Sequence, residues 1–234
     1  MSLVELRDVS FGWRAGPPLL QIAAFDVAAG ERVFISGPSG SGKSTLLGLI
    51  GGVLTPGSGT VSVLGESLGG LSAARRDALR VDRIGFIFQL FNLLPYLSVR
   101  DNVALPCRFS ARRRQRATAS GLEVGAEADR LLGRLGLDDP GLLDRRVTEL
   151  SIGQQQRVAA ARALIGQPDL LIADEPTSSL DADARASFIE LLMTECRAAG
   201  SAIVFVSHDR SLAVRFDRQV DLLDLNQLAT KRAA

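Results

Sequence analysis

The sequence predicts an α/β fold with one large domain, in which an antiparallel β piece precedes the core and a helical segment interrupts it. Three observations support this prediction. Short apolar strands alternate with helical segments, a glycine-rich turn joins one strand to a helix, and residues 90–165 are mostly helical in pattern. The chain has 234 residues, of which 46% are hydrophobic, so it can bury a sizeable core without metals or disulfides.

The individual elements follow from apolar runs and from the residues that interrupt them. Glu5 to Phe11 and Phe25 to Val27 are predicted strands of the antiparallel piece, separated by Gly16-Pro17-Pro18. Buried strands are predicted at residues 32–36, 84–88, 170–174 and 202–207, and helices from about residue 42, at 154–165 and at 182–199. We therefore expect a single domain over residues 1–234, with residues 1–89 and 166–226 as its core and residues 90–165 as the helical insertion.

The predicted insertion contains a basic run, Arg112-Arg113-Arg114-Gln115-Arg116. Such a run is typical of an exposed, solvated helix or loop, and we expect that here. Contact with lipid headgroups is the alternative.

Composition excludes several classes of protein. The 27 basic and 26 acidic residues give a net charge of +1, so the totals do not indicate a nucleic acid as partner. Cys107 and Cys196 are far apart in the sequence, which disfavours a disulfide framework or zinc site and indicates a reducing compartment. The longest nearly apolar stretch, residues 46–54, is about half of the roughly 20 residues that span a bilayer, and the N-terminus lacks the pattern of a signal peptide. Any membrane association is therefore expected to come through a partner.

The glycine-rich turn matches the phosphate-binding pattern GxxxxGK[ST] from Gly37 to Ser44. Its glycines let backbone N–H groups face the phosphates, and the helix that follows adds the positive end of its dipole. Lys43 can reach the terminal phosphates, and the Ser44 hydroxyl can ligate Mg²⁺. The predicted phosphate-binding residues are Gly37, Pro38, Ser39, Gly40, Ser41, Gly42, Lys43, Ser44 and Thr45. Alone, this motif defines a P-loop nucleotide binder, a class that includes kinases and GTPases.

Two carboxylates end the predicted strand at residues 170–174. Asp174 has the position of a Walker B aspartate and can hold the Mg²⁺ shell. The adjacent Glu175 can orient and polarise the attacking water, so it is the candidate general base. An acidic loop after a core strand is the alternative, which the P-loop upstream disfavours.

A capping box precedes the predicted helix at residues 154–165. Ser151 is followed three residues later by Gln154, and a capped helix start is also an anion-binding feature. The segment Leu150 to Gln155, with its continuation through Leu164, resembles the signature sequence LSGGQ of ATP-binding cassette (ABC) proteins. The chain is thereby similar to the ATP-binding subunits of ABC transporters over residues 4–225.

The resemblance implies a P-loop NTPase core of the RecA-like kind and roles for further residues. Gln89 resembles the Q-loop glutamine, which contacts Mg²⁺ and water and senses the membrane partner. His208 resembles the switch histidine at the γ-phosphate, and Trp13 stands at the place of the aromatic that stacks on adenine. The implied D-loop is Ser179, Leu180 and Asp181, the implied signature residues are Ser151, Gly153, Gln154 and Gln155, and the implied Mg²⁺ ligands are Ser44, Gln89 and Asp174.

Ile152 departs from the family pattern, which usually has glycine at that position. A β-branched residue disfavours positive φ, so we expect ordinary backbone at Ile152 and unusual geometry or a close phosphate approach at Gly153. We expect activity to survive this substitution.

The segment 88–95, followed by 98–103, resembles the cassettes of the lipoprotein-release, macrolide-export and cell-division group. Importer cassettes for amino acids or metal ions carry similar stretches and stay as alternatives. The resemblance implies ATP and Mg²⁺ as cofactors, an ATPase that powers transport, and a head-to-tail homodimer. It also implies transmembrane permease subunits as partners and a peripheral location on the cytoplasmic face of the inner membrane. The substrate and the direction of transport are left open.

Two further classes share the nucleotide chemistry. ABC ATPases of DNA repair usually split the cassette with a long coiled coil, whereas residues 43–174 show no sustained heptads. Cassette proteins of translation ordinarily carry two cassettes in one chain. A nucleotide-binding module without enzymatic activity is the weakest alternative, because it would not need the predicted catalytic residues Glu175 and His208.

Overall fold

The computed structural model describes residues 2–13, 16–178 and 180–228. They form two compact units, one made of the chain up to Arg80 and from Ala202 onward, the other of Val81–Ser201. The strands are β1 (Ser2–Phe11), β2 (Leu20–Ala28), β3 (Arg32–Ser36), β4 (Ser58–Val63), β5 (Glu66–Ser67), β6 (Ile84–Ile87), β7 (Leu170–Asp174), β8 (Ala202–Val206) and β9 (Arg218–Asp221). The helices are α1 (Lys43–Ile50), α2 (Ala73–Arg83), α3 (Val99–Phe109), α4 (Ala111–Ala117), α5 (Val124–Arg134), α6 (Pro140–Leu143), α7 (Ile152–Leu164), α8 (Ala182–Ala199) and α9 (Leu222–Leu225).

An antiparallel sheet opens the first unit, in the order β2-β1-β4-β5. Leu6 pairs with Phe25 of β2 on one side and with Val61 of β4 on the other. All three side chains are buried, because residues on one face of neighbouring strands pack together. The predicted antiparallel piece is confirmed, and it is longer than its two predicted strands.

The parallel part of the first unit places β3 between β8 and β9. Residues of β3 and β8 are buried along nearly their whole length, as expected for parallel strands covered on both faces. Phe34, Phe205 and Phe216 form an aromatic cluster in this unit, with ring centroids 5.1 to 6.1 Å apart. This cluster packs β3, the strand that leads into the glycine-rich turn, against β8.

The second unit combines the parallel pair β6 and β7 with helices. Ile87 of β6 pairs with Ala173 of β7. Helix α7 contacts α3, α5, α8 and β6. The close approach of α7 to β6 requires Gly85, since a Cβ there would lie 2.4 Å from the carbonyl oxygen of Ala163. The predicted insertion lies within this unit, which also includes β6, β7 and α8.

The expectation that the basic run is solvated is wrong for Arg113. This side chain is 2% exposed, and its guanidinium donates to four backbone carbonyls. The acceptors are Val81 O (2.8 Å), Ala163 O (3.1 Å), Ile165 O (2.9 Å) and Ile84 O (2.5 Å). Burial lowers the pKa of Arg113 to about 10, which leaves it charged at neutral pH. One arginine therefore ties α4 to the end of α7 and the start of β6.

The rest of the basic run also serves the fold in part. Arg112 and Arg116 form ion pairs with Asp169 at 3.3 and 3.4 Å, and Arg83 pairs with the same carboxylate at 2.9 Å. Arg114 and Gln115 are exposed. The run is thus an amphipathic helix whose buried side carries charge, which composition alone does not reveal.

Both cysteines are buried free thiols. Burial raises the pKa of Cys107, and it raises the pKa of Cys196 to about 12. Among the described residues, no helix is both long enough and apolar enough to span a bilayer.

Candidate functional site

The glycine-rich turn connects β3, which ends at Ser36, to α1, which begins at Lys43. Gly40 and Gly42 have φ values of 77° and 102°, a region that other residues rarely adopt. A Cβ on Gly42 would also lie 2.7 Å from a methyl carbon of Leu20. Glycine is therefore required at position 42, the N-cap of α1, as the motif predicts.

Lys43 lies over this turn. Its Nζ donates to Gly37 O at 2.8 Å and to Pro38 O at 3.0 Å, so the ammonium group sits where the turn curves back on itself. Ser44 is exposed at the first turn of α1, whereas Thr45 is buried. The Ser41 hydroxyl is buried and has no hydrogen-bond partner among the described residues. The turn thus presents a cation and a helix N-terminus to an anion.

His208 follows β8 at the same edge of the parallel strands as the turn. Ile35 pairs with Val206, and the N–H of Ser207 donates to Ile35 O at 3.2 Å. Because parallel strands end at one edge, His208 and the glycine-rich turn follow neighbouring strand ends. The His208 side chain is exposed.

Trp13 follows the end of β1 and is 59% exposed. Its ring packs edge-on against Phe11, with centroids 5.3 Å apart and planes at 87°. A neighbouring aromatic fixes the indole while leaving much of its surface open. That arrangement suits stacking on a flat ring system.

In the second unit, Asp174 and Glu175 stand at the end of β7, and Gln89 follows β6. The pairing of Ile87 with Ala173 puts these three residues at one edge of the strand pair. Glu175 is half-buried and has a φ of 47°, a conformation that costs a non-glycine residue about 1–3 kcal/mol. The chain thus turns sharply at the carboxylate, and such strain is often found at functional sites.

The segment after Gln89 contains two side-chain anchors that sequence reasoning missed. Arg162 of α7 donates to the carbonyls of Phe91 and Asn92, and Asn102 of α3 bonds to Leu94. Arg162 and Asn92 are 70 residues apart in the sequence, and only the fold makes them neighbours. Asn102 is 8 residues from Leu94, but no pattern or spacing in the sequence indicates that its side chain bonds back to this loop.

The start of α7 has the predicted capping box. The Ser151 N–H donates to Gln154 Oε1 at 2.9 Å, and the Gln154 N–H donates to Ser151 Oγ at 3.3 Å. Gln155 Nε2 donates to Leu150 O at 3.1 Å. These bonds order the helix start. The first N–H groups of a helix have no partner within the helix, so a capped helix start can bind an anion.

Ile152 is the first residue of α7 and has a negative φ, as expected from its β-branched side chain. The expectation of unusual geometry at Gly153 is wrong, because Gly153 also has a negative φ inside the helix. A Cβ there would make only an ordinary contact, 3.6 Å from Leu180. A close approach of a phosphate to Gly153 stays a prediction.

The implied D-loop is described in part. Ser179 lies outside the described residues. Asp181 caps α8, since its carboxylate accepts from the Ala184 N–H at 2.8 Å. The Leu180 N–H donates to Thr177 O at 3.2 Å.

The site residues are divided between the two units. The first holds Trp13, the glycine-rich turn and His208, and the second holds Gln89, Asp174, Glu175 and the signature residues. Among the described residues, no group of three or more His, Cys, Asp or Glu side chains is placed to bind a metal ion. The Ser44 hydroxyl of the first unit and the Asp174 carboxylate of the second are each oxygen donors of the kind that Mg²⁺ takes, together with water and phosphate.

Replacing Ile152 by glycine tests the tolerance of the signature. Because Ile152 occupies an ordinary helical position, we expect the wild-type protein to hydrolyse ATP and Ile152→Gly to have a rate within about two-fold of it. Steady-state ATPase assays on both proteins measure this. If the wild-type protein binds ATP without turnover and Ile152→Gly restores hydrolysis, the prediction is wrong.

A phosphate-binding turn, a strand ending in two carboxylates and a capped signature helix together define an ATP-binding cassette. The chain belongs to the ABC transporter family, whose model matches residues 20–178. It is thus an ATPase subunit that powers transport, and the predicted fold class, a P-loop core with an antiparallel piece and an inserted helical part, is confirmed.

Individual relatives show which group of ABC transporter cassettes the chain resembles. The chain is 43% identical over 212 residues to the lipoprotein-releasing system ATP-binding protein LolD of Bordetella pertussis, covering 88% of this chain and 87% of that protein. The same values apply to LolD of Bordetella parapertussis. Among solved structures, the chain is similar to the dimeric ATP-binding cassette MJ0796 in a post-hydrolysis state with ADP and Pi, with a TM-score of 0.79, 33% identity and 93% coverage of both chains. The predicted resemblance to the lipoprotein-release group is confirmed.

Proposed function

We propose that this chain hydrolyses ATP as one of two identical cassettes beneath separate permease subunits that release lipoproteins from a membrane. The 43% identity to LolD over most of both chains supports this most strongly. The membrane partners account for how a chain without a spanning helix among its described residues acts on a membrane. The location that follows is the cytoplasmic face of the inner membrane.

In this proposal the first unit binds the nucleotide. Adenine stacks on Trp13, the glycine-rich turn wraps the phosphates, and Lys43 and His208 contact the γ-phosphate. The support is the exposed indole, the position of the Lys43 ammonium over the turn, and the shared strand edge that carries His208.

In this proposal hydrolysis also uses residues of the second unit, while Ser44 comes from the first. Ser44, Asp174 and Gln89 would hold Mg²⁺, which neutralises charge on the phosphate oxygens when bound. Glu175 would accept a proton from the attacking water, and Gln89 would help orient that water. The common strand edge of Gln89, Asp174 and Glu175 supports this division of tasks.

The signature residues would act on the nucleotide of the other copy. The start of α7 is a helix N-terminus with an ordered Ser151 cap, which suits a phosphate. The solved MJ0796 cassette is dimeric, and the two copies here would be arranged head to tail with ATP between them.

Purifying the permease together with this chain tests which molecules are transported. A tagged Glu175→Gln variant, purified with ATP from detergent-solubilised membranes, is expected to bring down a multi-span permease carrying lipoproteins. A permease that arrives with a solute-binding protein for amino acids or metal ions would favour an importer instead.

Trp13 provides a direct test of nucleotide binding, since it is the one tryptophan of the sequence. We expect ATP to change its fluorescence. Trp13→Ala should weaken ATP binding by about 5- to 100-fold, as expected for the loss of one base stack, whereas Trp13→Tyr should bind nearly as wild type. Calorimetric titration of the variants measures this, and unchanged affinity in Trp13→Ala would exclude the stacking role.

A further inference from the structure

The loop that carries Gln89 has an unusual backbone. Phe91 and Asn92, which follow Gln89 and Leu90, have φ values of 59° and 49°, so two consecutive residues with side chains lie in the left-handed region. The turn is tight, since the N–H of Asn92 donates to Leu90 O at 2.6 Å and that of Phe91 donates to Phe88 O at 2.9 Å. Such a conformation persists only where surrounding groups fix it.

Arg162 supplies one of these groups. It lies on α7, ten residues beyond the start of the helix, and it donates to Asn92 O at 2.7 Å and to Phe91 O at 2.5 Å. Both carbonyls belong to the two left-handed residues. Arg162 is half-buried, and this burial lowers the pKa of its guanidinium.

Asn102 fixes the end of the same loop. This residue of α3 is fully buried and exchanges hydrogen bonds with Leu94, accepting from its N–H at 2.8 Å and donating to its carbonyl at 3.1 Å. It also donates to Ser98 O at 3.0 Å. The loop is therefore held at its strained turn by α7 and at its end by α3, while Gln89 itself is exposed.

We propose that Arg162 is a positioning residue for hydrolysis, which fixes the turn at Phe91 and Asn92 and thereby sets the place of Gln89. This inference rests on the proposed role of Gln89. Through Arg162, the helix that begins with the signature residues is joined directly to the loop that carries the glutamine. A displacement of α7 is transmitted to the Gln89 loop by two hydrogen bonds from a rigid, planar group.

The test compares four variants of the full chain in ATPase assays. Arg162→Met is expected to lower kcat by about 10- to 100-fold, as a misplacement of roughly 1 Å can, with KM for ATP within about two-fold of wild type. Arg157→Met is the matched control, since Arg157 lies on the same helix and donates to Gly136 O at 3.1 Å in another loop. We expect it to keep the wild-type kcat. Arg162→Met combined with Gln89→Ala should be no slower than Gln89→Ala alone, because both changes remove the same contribution.

The outcomes separate the possibilities. A slow Gln89→Ala together with a fully active Arg162→Met would overturn the inference and leave the proposed function standing. Additive losses in the double variant would also overturn it, since they indicate a general structural role. A fully active Gln89→Ala would remove the role of Gln89 and the inference with it.

If Arg162→Met does not fold, as judged by circular dichroism, Arg162→Lys takes its place. Lysine keeps the charge but not the planar, two-pronged donor, so kcat should fall several-fold with KM little changed. An Arg162→Lys protein with the kcat of wild type would then count against the inference.

Discussion

Glu175→Gln is expected to lower the ATPase rate by about 10²- to 10⁴-fold while leaving ATP binding intact. Glutamine keeps nearly the shape of glutamate, so the left-handed turn at this residue is preserved. It cannot accept a proton from water, and the general-base step is lost. Hydrolysis would normally dissociate the ATP-bound dimer of cassettes. The variant should therefore also accumulate as a dimer with ATP, which size-exclusion chromatography measures.

Glu190→Gln is the matched control for this experiment. Glu190 is an exposed residue of α8, and the same change of charge there should leave both the rate and the elution volume unchanged. A Glu175→Gln protein that hydrolyses ATP at the wild-type rate would exclude Glu175 as the base. A monomeric, fully active wild-type enzyme would exclude the dimer.

The second large effect concerns stability. Arg113→Met should lower the free energy of unfolding by about 3–5 kcal/mol, because three buried hydrogen bonds and one part-buried hydrogen bond to backbone carbonyls are lost and methionine provides no donor. For a chain of this size, that corresponds to a fall in Tm of about 10 °C. Thermal unfolding followed by circular dichroism measures it.

Arg114→Met tests whether the effect belongs to Arg113 itself. Arg114 is the next residue of α4 and is exposed, and its side chain donates to Cys107 O at 3.0 Å. Its replacement should cost about 1 kcal/mol or less. Equal losses for the two variants would show that the run acts through its total charge and not through the buried guanidinium.

Local signals predicted most of the framework. The apolar runs at β3, β7 and β8 and the helix at Ala182–Ala199 were predicted within about one residue, because each is bounded by a glycine-rich turn, a carboxylate or a cap. The capping box at Ser151 was predicted for the same reason, since its two partners are only three residues apart.

Contacts between distant segments could not be predicted in this way. Nothing in a basic run distinguishes the buried Arg113 from its exposed neighbour Arg114, because the difference depends on where α7 ends and β6 begins in space. The same holds for Arg162 and the left-handed residues of the Gln89 loop. Conversely, a glycine in a motif suggests a backbone conformation that other residues rarely adopt. At Gly153 that expectation is wrong, because the residue already lies within helix α7.

The state of the two thiols has a practical consequence for measuring motion in this ATPase. Cys107 and Cys196 are buried, and burial raises the pKa of both thiols, so they offer little thiolate to maleimide or iodoacetamide reagents. A cysteine introduced on the surface can therefore carry a spectroscopic label without removal of the native pair. Distances between two such labels, one on each copy, would follow the cassettes as they close and part during turnover.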